Sequence, residues 1–170
     1  MSTLRWATRP ETAADVPAIR AVVLAAFETA LEADLVEALR ADRSWLPGLS
    51  VVAETPDGTV VGHALLTRCH IDDTPALCLA PVAVRPDHQR TGAGAAAVRA
   101  ALAAARAQGE HTVTVLGHPE YYPRFGFRRA SLHGIKTTFD VPDEALMALD
   151  LDSDSPLPGG ILRYATPFGV

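Results

Sequence analysis

The stretch Val82-Ala83-Val84-Arg85-Pro86-Asp87-His88-Gln89-Arg90-Thr91-Gly92-Ala93-Gly94-Ala95 decides the fold. Its first three residues close an apolar run that begins near Ala76, the pattern of a strand buried on both faces. Arg85-Pro86-Asp87-His88 stops that strand, since proline cannot donate to a ladder. Gly92 then opens an alanine-rich segment reaching about Gln108, with Val98 and Leu102 one helical turn apart and Gly109 as the C-terminal stop. Thr112 to Leu116 is short and β-branched, which predicts a strand parallel to the first. Strand, helix and strand in that order predict an α/β fold with a parallel pair. Where a buried strand runs into a helix start, unpaired N–H groups meet the positive end of the helix dipole, which favours an anion. Gly92 and Gly94 have no Cβ to hold a phosphate away from the backbone, and Arg90 adds a charge. The same two glycines also suit a tight turn and close helix–sheet packing.

Upstream, Asp15 is placed to cap a helix and Pro17 fits its first turn. Val16, Ile19, Val23 and Phe27 recur at steps of three and four on one face. Leu31, Leu35 and Leu39 predict a second helix, and Arg43 to Gly48 a break with Trp45 in a loop. Ser50 to Glu54 and Thr59 to Thr67 read as strands of a hairpin. Between them, Pro56 presets one dihedral and Gly58 accepts positive φ. Downstream, Pro119 to Phe125 suits a short helix, and Ile135 to Phe139 and Ile161 to Tyr164 suit late strands. Asp140 to Gly160 is rich in carboxylates, proline and glycine and reads as a loop with at most one turn of helix. Its acidic part, Asp140 to Asp154, reads as a solvated face.

At 170 residues and 18.0 kDa, the chain is expected to form a single domain spanning 1–170. Its 48% hydrophobic and 21% charged residues are those of a globular protein that can bury a core without staples. A net charge of -5 argues against a dedicated nucleic-acid binder. Cys69 and Cys78 make no disulfide framework, and no four-ligand zinc spacing is present, so no metal is expected. Met1 to Pro10 lacks the apolar core of a signal peptide, and Arg99 and Arg106 break the longest alanine-rich stretch, so no membrane span is expected. The expected location is the cytoplasm.

Two familiar phosphate loops do not fit. No lysine followed by Ser or Thr closes the glycines as in a Walker loop. The acidic ribose-binding residue of a Rossmann unit, ~20 residues on, has no convincing counterpart. The pattern Gln89-Arg90-x-Gly92-x-Gly94 instead resembles the acetyl-coenzyme A signature of the GNAT superfamily of N-acetyltransferases. Tyr121-Tyr122-Pro123-Arg124-Phe125-Gly126-Phe127 resembles the Tyr-x-x-x-Gly-Phe segment of the same enzymes. The order of elements is similar as well, over roughly Arg5 to Arg129 and most strongly over Leu79 to Phe127.

The resemblance implies a mixed, mostly antiparallel sheet with one splayed parallel pair, flanked by helices. It implies acetyl-CoA as co-substrate, with Val82, Ala83 and Val84 pairing with the pantetheine arm. Gln89, Arg90, Thr91, Gly92, Ala93, Gly94 and Ala95 would hold the pyrophosphate. Tyr122 matches the tyrosine that protonates the departing thiolate; helical geometry would turn Tyr121 about 100° away. An amine must be neutral to attack a thioester, so a proton acceptor is also needed. His118 is the best-placed titratable side chain for that role, ahead of Glu120, His70 and Glu54. Many family members carry an asparagine where this chain has Gly117-His118-Pro119. Neither cysteine lies in a signature, which favours direct transfer to a small-molecule amine or a protein amino group over a covalent route. The competing class is a non-catalytic CoA-binding regulatory module, and a homodimer is implied by the resemblance alone.

Overall fold

The computed structural model describes residues 6–152 and 156–170, so Arg5 and Asp154 lie outside the described residues. Strand β1 (Ala7–Pro10) leads through a 3-10 turn into helices α1 (Val16–Ala26) and α2 (Leu31–Arg40). Strands β2 (Trp45–Glu54), β3 (Val60–Ile71) and β4 (Thr74–Val84) form an antiparallel meander. Helix α3 (Ala93–Ala107) follows, then β5 (Thr112–Leu116), β6 (Arg128–Arg129), β7 (Ile135–Lys136), β8 (Leu146–Asp150) and β9 (Gly160–Arg163). The sheet order is β1-β2-β3-β4-β5-β8-β6, with β9 joined to β3 and to β7. Within that order β4 and β5 are the parallel neighbours; β7 and β9 make a second, two-residue parallel contact beside it.

Strand periodicity distributes the core. Along β2, Val51 and Ala53 face α3, while Val52 between them faces α1 and α2. The α3 layer is built from Ala97, Val98, Ala101 and Ala105, all fully buried. Their small side chains bring the helix backbone close to the sheet. Gly62 of β3 continues that economy, since a Cβ there would lie 3.3 Å from Ala53 Cβ. Burying Ile19, Val22, Val23, Val36 and Leu39 on the opposite face anchors α1 and α2, at about 1.5–3 kcal/mol for each large side chain.

Several local expectations change. Asp15 does not cap α1 with its side chain. Its carboxylate accepts from the Thr12 N–H at 2.7 Å and from Arg9 at 2.6 and 2.9 Å, tying β1 to the helix start. The Arg9 guanidinium holds that carboxyl well below the usual range. In α2 the buried row is Ala33, Val36 and Leu39, and Leu31 is 72% exposed. Trp45 belongs to β2, opposite Thr67, and the expected break is an irregularity between Trp45 and Ser50 in which Gly48 takes φ +84°. The largest correction is β8, inside the segment read as a loop. Leu146, Met147 and Ala148 are buried, and β8 pairs with all five residues of β5. The short helix narrows to a 3-10 turn over Tyr122–Phe125, and the expected strand Ile135 to Phe139 pairs only at Ile135 and Lys136.

Candidate active site

Strands β4 and β5 are paired only at Leu77–Val113 and Cys78–Thr114. Beyond Leu79 they separate. An irregularity in β4 opposite Ala64 to Leu66, where Pro81 has no N–H to donate, accompanies the divergence. The side of β4 away from β3 is therefore left without a strand partner at Val82, Ala83 and Val84. The opening is a cleft of about 790 Å³ walled by those three residues, by Gln89, Arg90, Gly92, Gly94 and Ala95, and by His118 and Tyr122. Of the residues expected to contact the coenzyme, Thr91 and Ala93 do not line it. Glu120, a candidate proton acceptor, also lines it, and so do Ala26 and Phe27 at the end of α1, Tyr121 and Arg124, which were not expected there.

The floor of the cleft is the start of α3. Gly92 takes φ +90° as the residue before the helix, and no side chain caps the first turn. No acidic residue stands there either, so the first N–H groups and the positive dipole end face the cleft uncompensated. Gly94 serves packing: a Cβ would lie 2.9 Å from Val84 Cγ2 and 3.4 Å from the Tyr121 hydroxyl. Ordinary residues would push α3 away from β4.

The loop before α3 is held by neighbours that the sequence did not reveal. Trp6 donates from Nε1 to the Thr91 carbonyl at 3.0 Å and meets the His88 ring edge-on at 5.8 Å. Thr91 Oγ1 donates to the His88 carbonyl, and Gln89 Nε2 to the Val84 carbonyl at 3.3 Å. Within this brace Arg90 is held at φ +62°, a conformation costly for a side-chain-bearing residue. The resemblance covers the loop itself and is silent about Trp6, more than eighty residues away in sequence.

Tyr122 is 9% exposed, with its ring edge-on to Tyr121 at 5.0 Å and to Phe127 at 5.9 Å. Burial, and secondarily the neighbouring Tyr121, push its phenol up to about 12, so the proton stays on oxygen at neutral pH. Tyr121 is not turned away. It precedes the 3-10 turn and reaches the helix start, with its hydroxyl beside Gly94. Burial raises its pKa, opposed by the charges of Arg124 and Arg99. His118 stands exposed at the rim, with Nδ1 3.7 Å from Glu120 Oε1. Glu54 is instead paired with Arg9, and His70 sits on β3 opposite Arg163; neither lines the cleft. Cys69 and Cys78 are buried, and burial pushes Cys69 up to about 12 and Cys78 well above its usual value. Among the described residues no group of three or more His, Cys, Asp or Glu is placed to hold a metal, and no helix is long and apolar enough to cross a membrane.

A splayed parallel pair opening onto an uncapped helix start defines an acyltransferase architecture, and comparison with known proteins agrees. The acetyltransferase (GNAT) family model matches residues 17–127. The uncharacterized N-acetyltransferase YjhQ of Escherichia coli strain K12 is 41% identical over 135 residues, which cover 76% of this chain and 74% of that protein. A second E. coli protein, the uncharacterized N-acetyltransferase YhbS, is 30% identical over 164 residues, covering 94% of this chain and 96% of its own. The crystal structure of E. coli YhbS in complex with CoA superposes with a TM-score of 0.91 at 27% identity, over 100% of this chain and 95% of that one. A GNAT family acetyltransferase from Brucella melitensis in complex with acetyl-CoA gives 0.79 at 29% identity, over 96% and 98%. The chain belongs to the GNAT family of acetyltransferases.

Proposed function

We propose that the protein moves the acetyl group of acetyl-CoA to a primary amine by direct transfer, with both substrates held in the cleft together. The observation that carries this reading is the uncapped start of α3 at the mouth of the β4–β5 opening, with a protonated Tyr122 in its wall. An uncapped helix start with no acid in its first turn fits a diphosphate. Val82, Ala83 and Val84 would pair with the pantetheine arm, and Gln89 to Ala95 would surround the pyrophosphate. Bound acetyl-CoA supplies a thioester carbonyl open to an amine. Tyr122 holds a proton for the sulfur that leaves, and His118, with Glu120 beside it, takes the proton that the amine must lose. Holding amine and thioester side by side replaces a covalent acetyl-enzyme.

The acceptor is a small-molecule amine or a protein amino group, taken without a metal, and neither nucleic acid nor membrane is part of the reaction. Residues 1–170 act as one domain in the cytoplasm, and a homodimer rests on the family resemblance alone. The test is a panel of amines scored by release of free CoA. Release with one or more amines supports the reading. Binding of acetyl-CoA with no release across small amines and lysine or N-terminal peptides would favour a regulatory module.

A further inference from the structure

Coenzyme A carries three phosphate groups, and the start of α3 accounts for two. Resting on the acetyl-CoA reading above, the question is what meets the third, on the 3′-oxygen of the ribose. Two arginines beside the helix start are arranged alike. The Arg124 guanidinium lies 4.2 Å over the Tyr121 ring, and its Nε donates to the Tyr121 carbonyl at 2.8 Å. Arg99 lies 5.1 Å over the Phe125 ring. Tyr121 and Phe125 themselves touch, with ring centroids 5.5 Å apart. One aromatic pair thus carries both cations.

Stacking holds a guanidinium by its face and leaves N–H groups on its edge for an anion. Both side chains are exposed, and among the described residues neither meets a carboxylate within 4.0 Å. Arg9, Arg20, Arg40, Arg68 and Arg129 all do. In a chain of net charge -5, two free cations on one aromatic pair are a local reversal of the overall field. Their position fits. The Tyr121 hydroxyl is beside Gly94, Arg124 lines the cleft, and Arg99 is roughly 9 Å along α3 from Ala93 at the usual rise per residue. That places the two cations beside the start of α3, where the pyrophosphate would lie.

We propose that Arg99 and Arg124 grip the 3′-phosphate of the coenzyme, so that the enzyme takes CoA thioesters and discriminates against their 3′-dephospho counterparts. The edges of two guanidiniums offer charge-assisted bonds to a phosphate dianion, and removal of that phosphate leaves the rest of the coenzyme unchanged. Calorimetric titration of the full chain with CoA and with 3′-dephospho-CoA tests this. CoA should bind at least about tenfold more tightly, equal to about 1.4 kcal/mol. In Arg99→Gln/Arg124→Gln that preference should vanish. Arg99→Lys/Arg124→Lys should restore part of it, because the charge returns without the planar fork. Equal affinity of the wild-type chain for the two ligands would overturn the proposal and identify the arginines as covers for apolar ring surface. A preference that survives in the glutamine variant would overturn the assignment to these two residues. Binding of neither ligand would bring down the acetyl-CoA reading itself, an outcome distinct from equal binding.

Discussion

The Tyr122 ring fills the space where Gly117 would carry a side chain: a Cβ at Gly117 would lie 2.5 Å from Tyr122 Cε2. Any side chain at the residue before the rim histidine would collide with that ring, so glycine stands there.

Tyr122→Phe keeps that packing and removes one hydroxyl. Turnover should fall ~10²–10⁴-fold, the usual contribution of a general acid, with coenzyme affinity unchanged. Tyr121→Phe should leave turnover within a few-fold, since its hydroxyl sits by Gly94 at the helix start. Steady-state rates and calorimetry on the two variants check this. Equal losses in both, or full activity of Tyr122→Phe, would refute the assignment. With the phenol held near 12, no loss of activity from Tyr122 ionisation should appear at pH 8 to 10.

Ala95 occupies the third position of α3 and lines the cleft. A glutamate there suits the helix dipole and stabilises the helix by about 0.3–1 kcal/mol, while repelling a diphosphate. Ala95→Glu should thus hold or raise Tm and abolish CoA binding. Retained affinity would show that the helix start is not the anion site. This variant separates folding from binding, which Gly94 variants cannot do because Gly94 packs on Val84.

His63 is fully buried on β3, with Nε2 2.8 Å from Ser50 Oγ and Nδ1 without a partner among the described residues. Burial, helped by the nearby Arg40, lowers its pKa to about 3. The unfolded chain binds a proton at this position below about 6.5 and the folded chain does not. Stability should therefore decrease as pH falls from 6.5, by up to about 1.4 kcal/mol per pH unit from this residue. Asp15 acts in the same direction only below the ordinary carboxylate range. Urea titrations at pH 7, 6 and 5 should show this slope, and His63→Gln should flatten it. An unchanged slope in the variant would assign it to other groups.

How much of this was legible follows from where the signals are local. The run from Val82 to Ala95 encodes strand, stop, anion-facing loop and helix start in fourteen consecutive residues, and the structure assembles them in that order. Strand β8 was not legible. Leu146 to Asp150 is five residues long, set among proline and carboxylates, and becomes a strand through pairing with β5, thirty to thirty-eight residues away in sequence. Trp6 and Phe27 escaped for the same reason. Each reaches the site through a long-range contact that no periodicity announces. Tyr121 was misjudged because its hydroxyl reaches the start of α3 at Gly94, a long-range approach that its angular offset from Tyr122 does not decide.

The cysteines decide between direct and covalent transfer. Cys69 and Cys78 are buried in the layer that also holds Ala76 and Ala148, and neither lines the cleft. Cys69 Sγ lies 3.9 Å from Thr114 Oγ1, and among the described residues no histidine or carboxylate is bonded to either sulfur. A nucleophilic cysteine works as thiolate, and burial opposes that form in both. Cys69→Ala/Cys78→Ala should consequently retain turnover with any amine that the panel identifies, at some cost in stability from the two small cavities. Initial rates varied against both substrates should give intersecting lines, as a ternary complex requires. Parallel lines together with an acetylated cysteine in the mass spectrum would replace direct attack with a ping-pong route. The double variant makes the two outcomes separable, because a ping-pong enzyme without its nucleophile has no half-reaction left to measure.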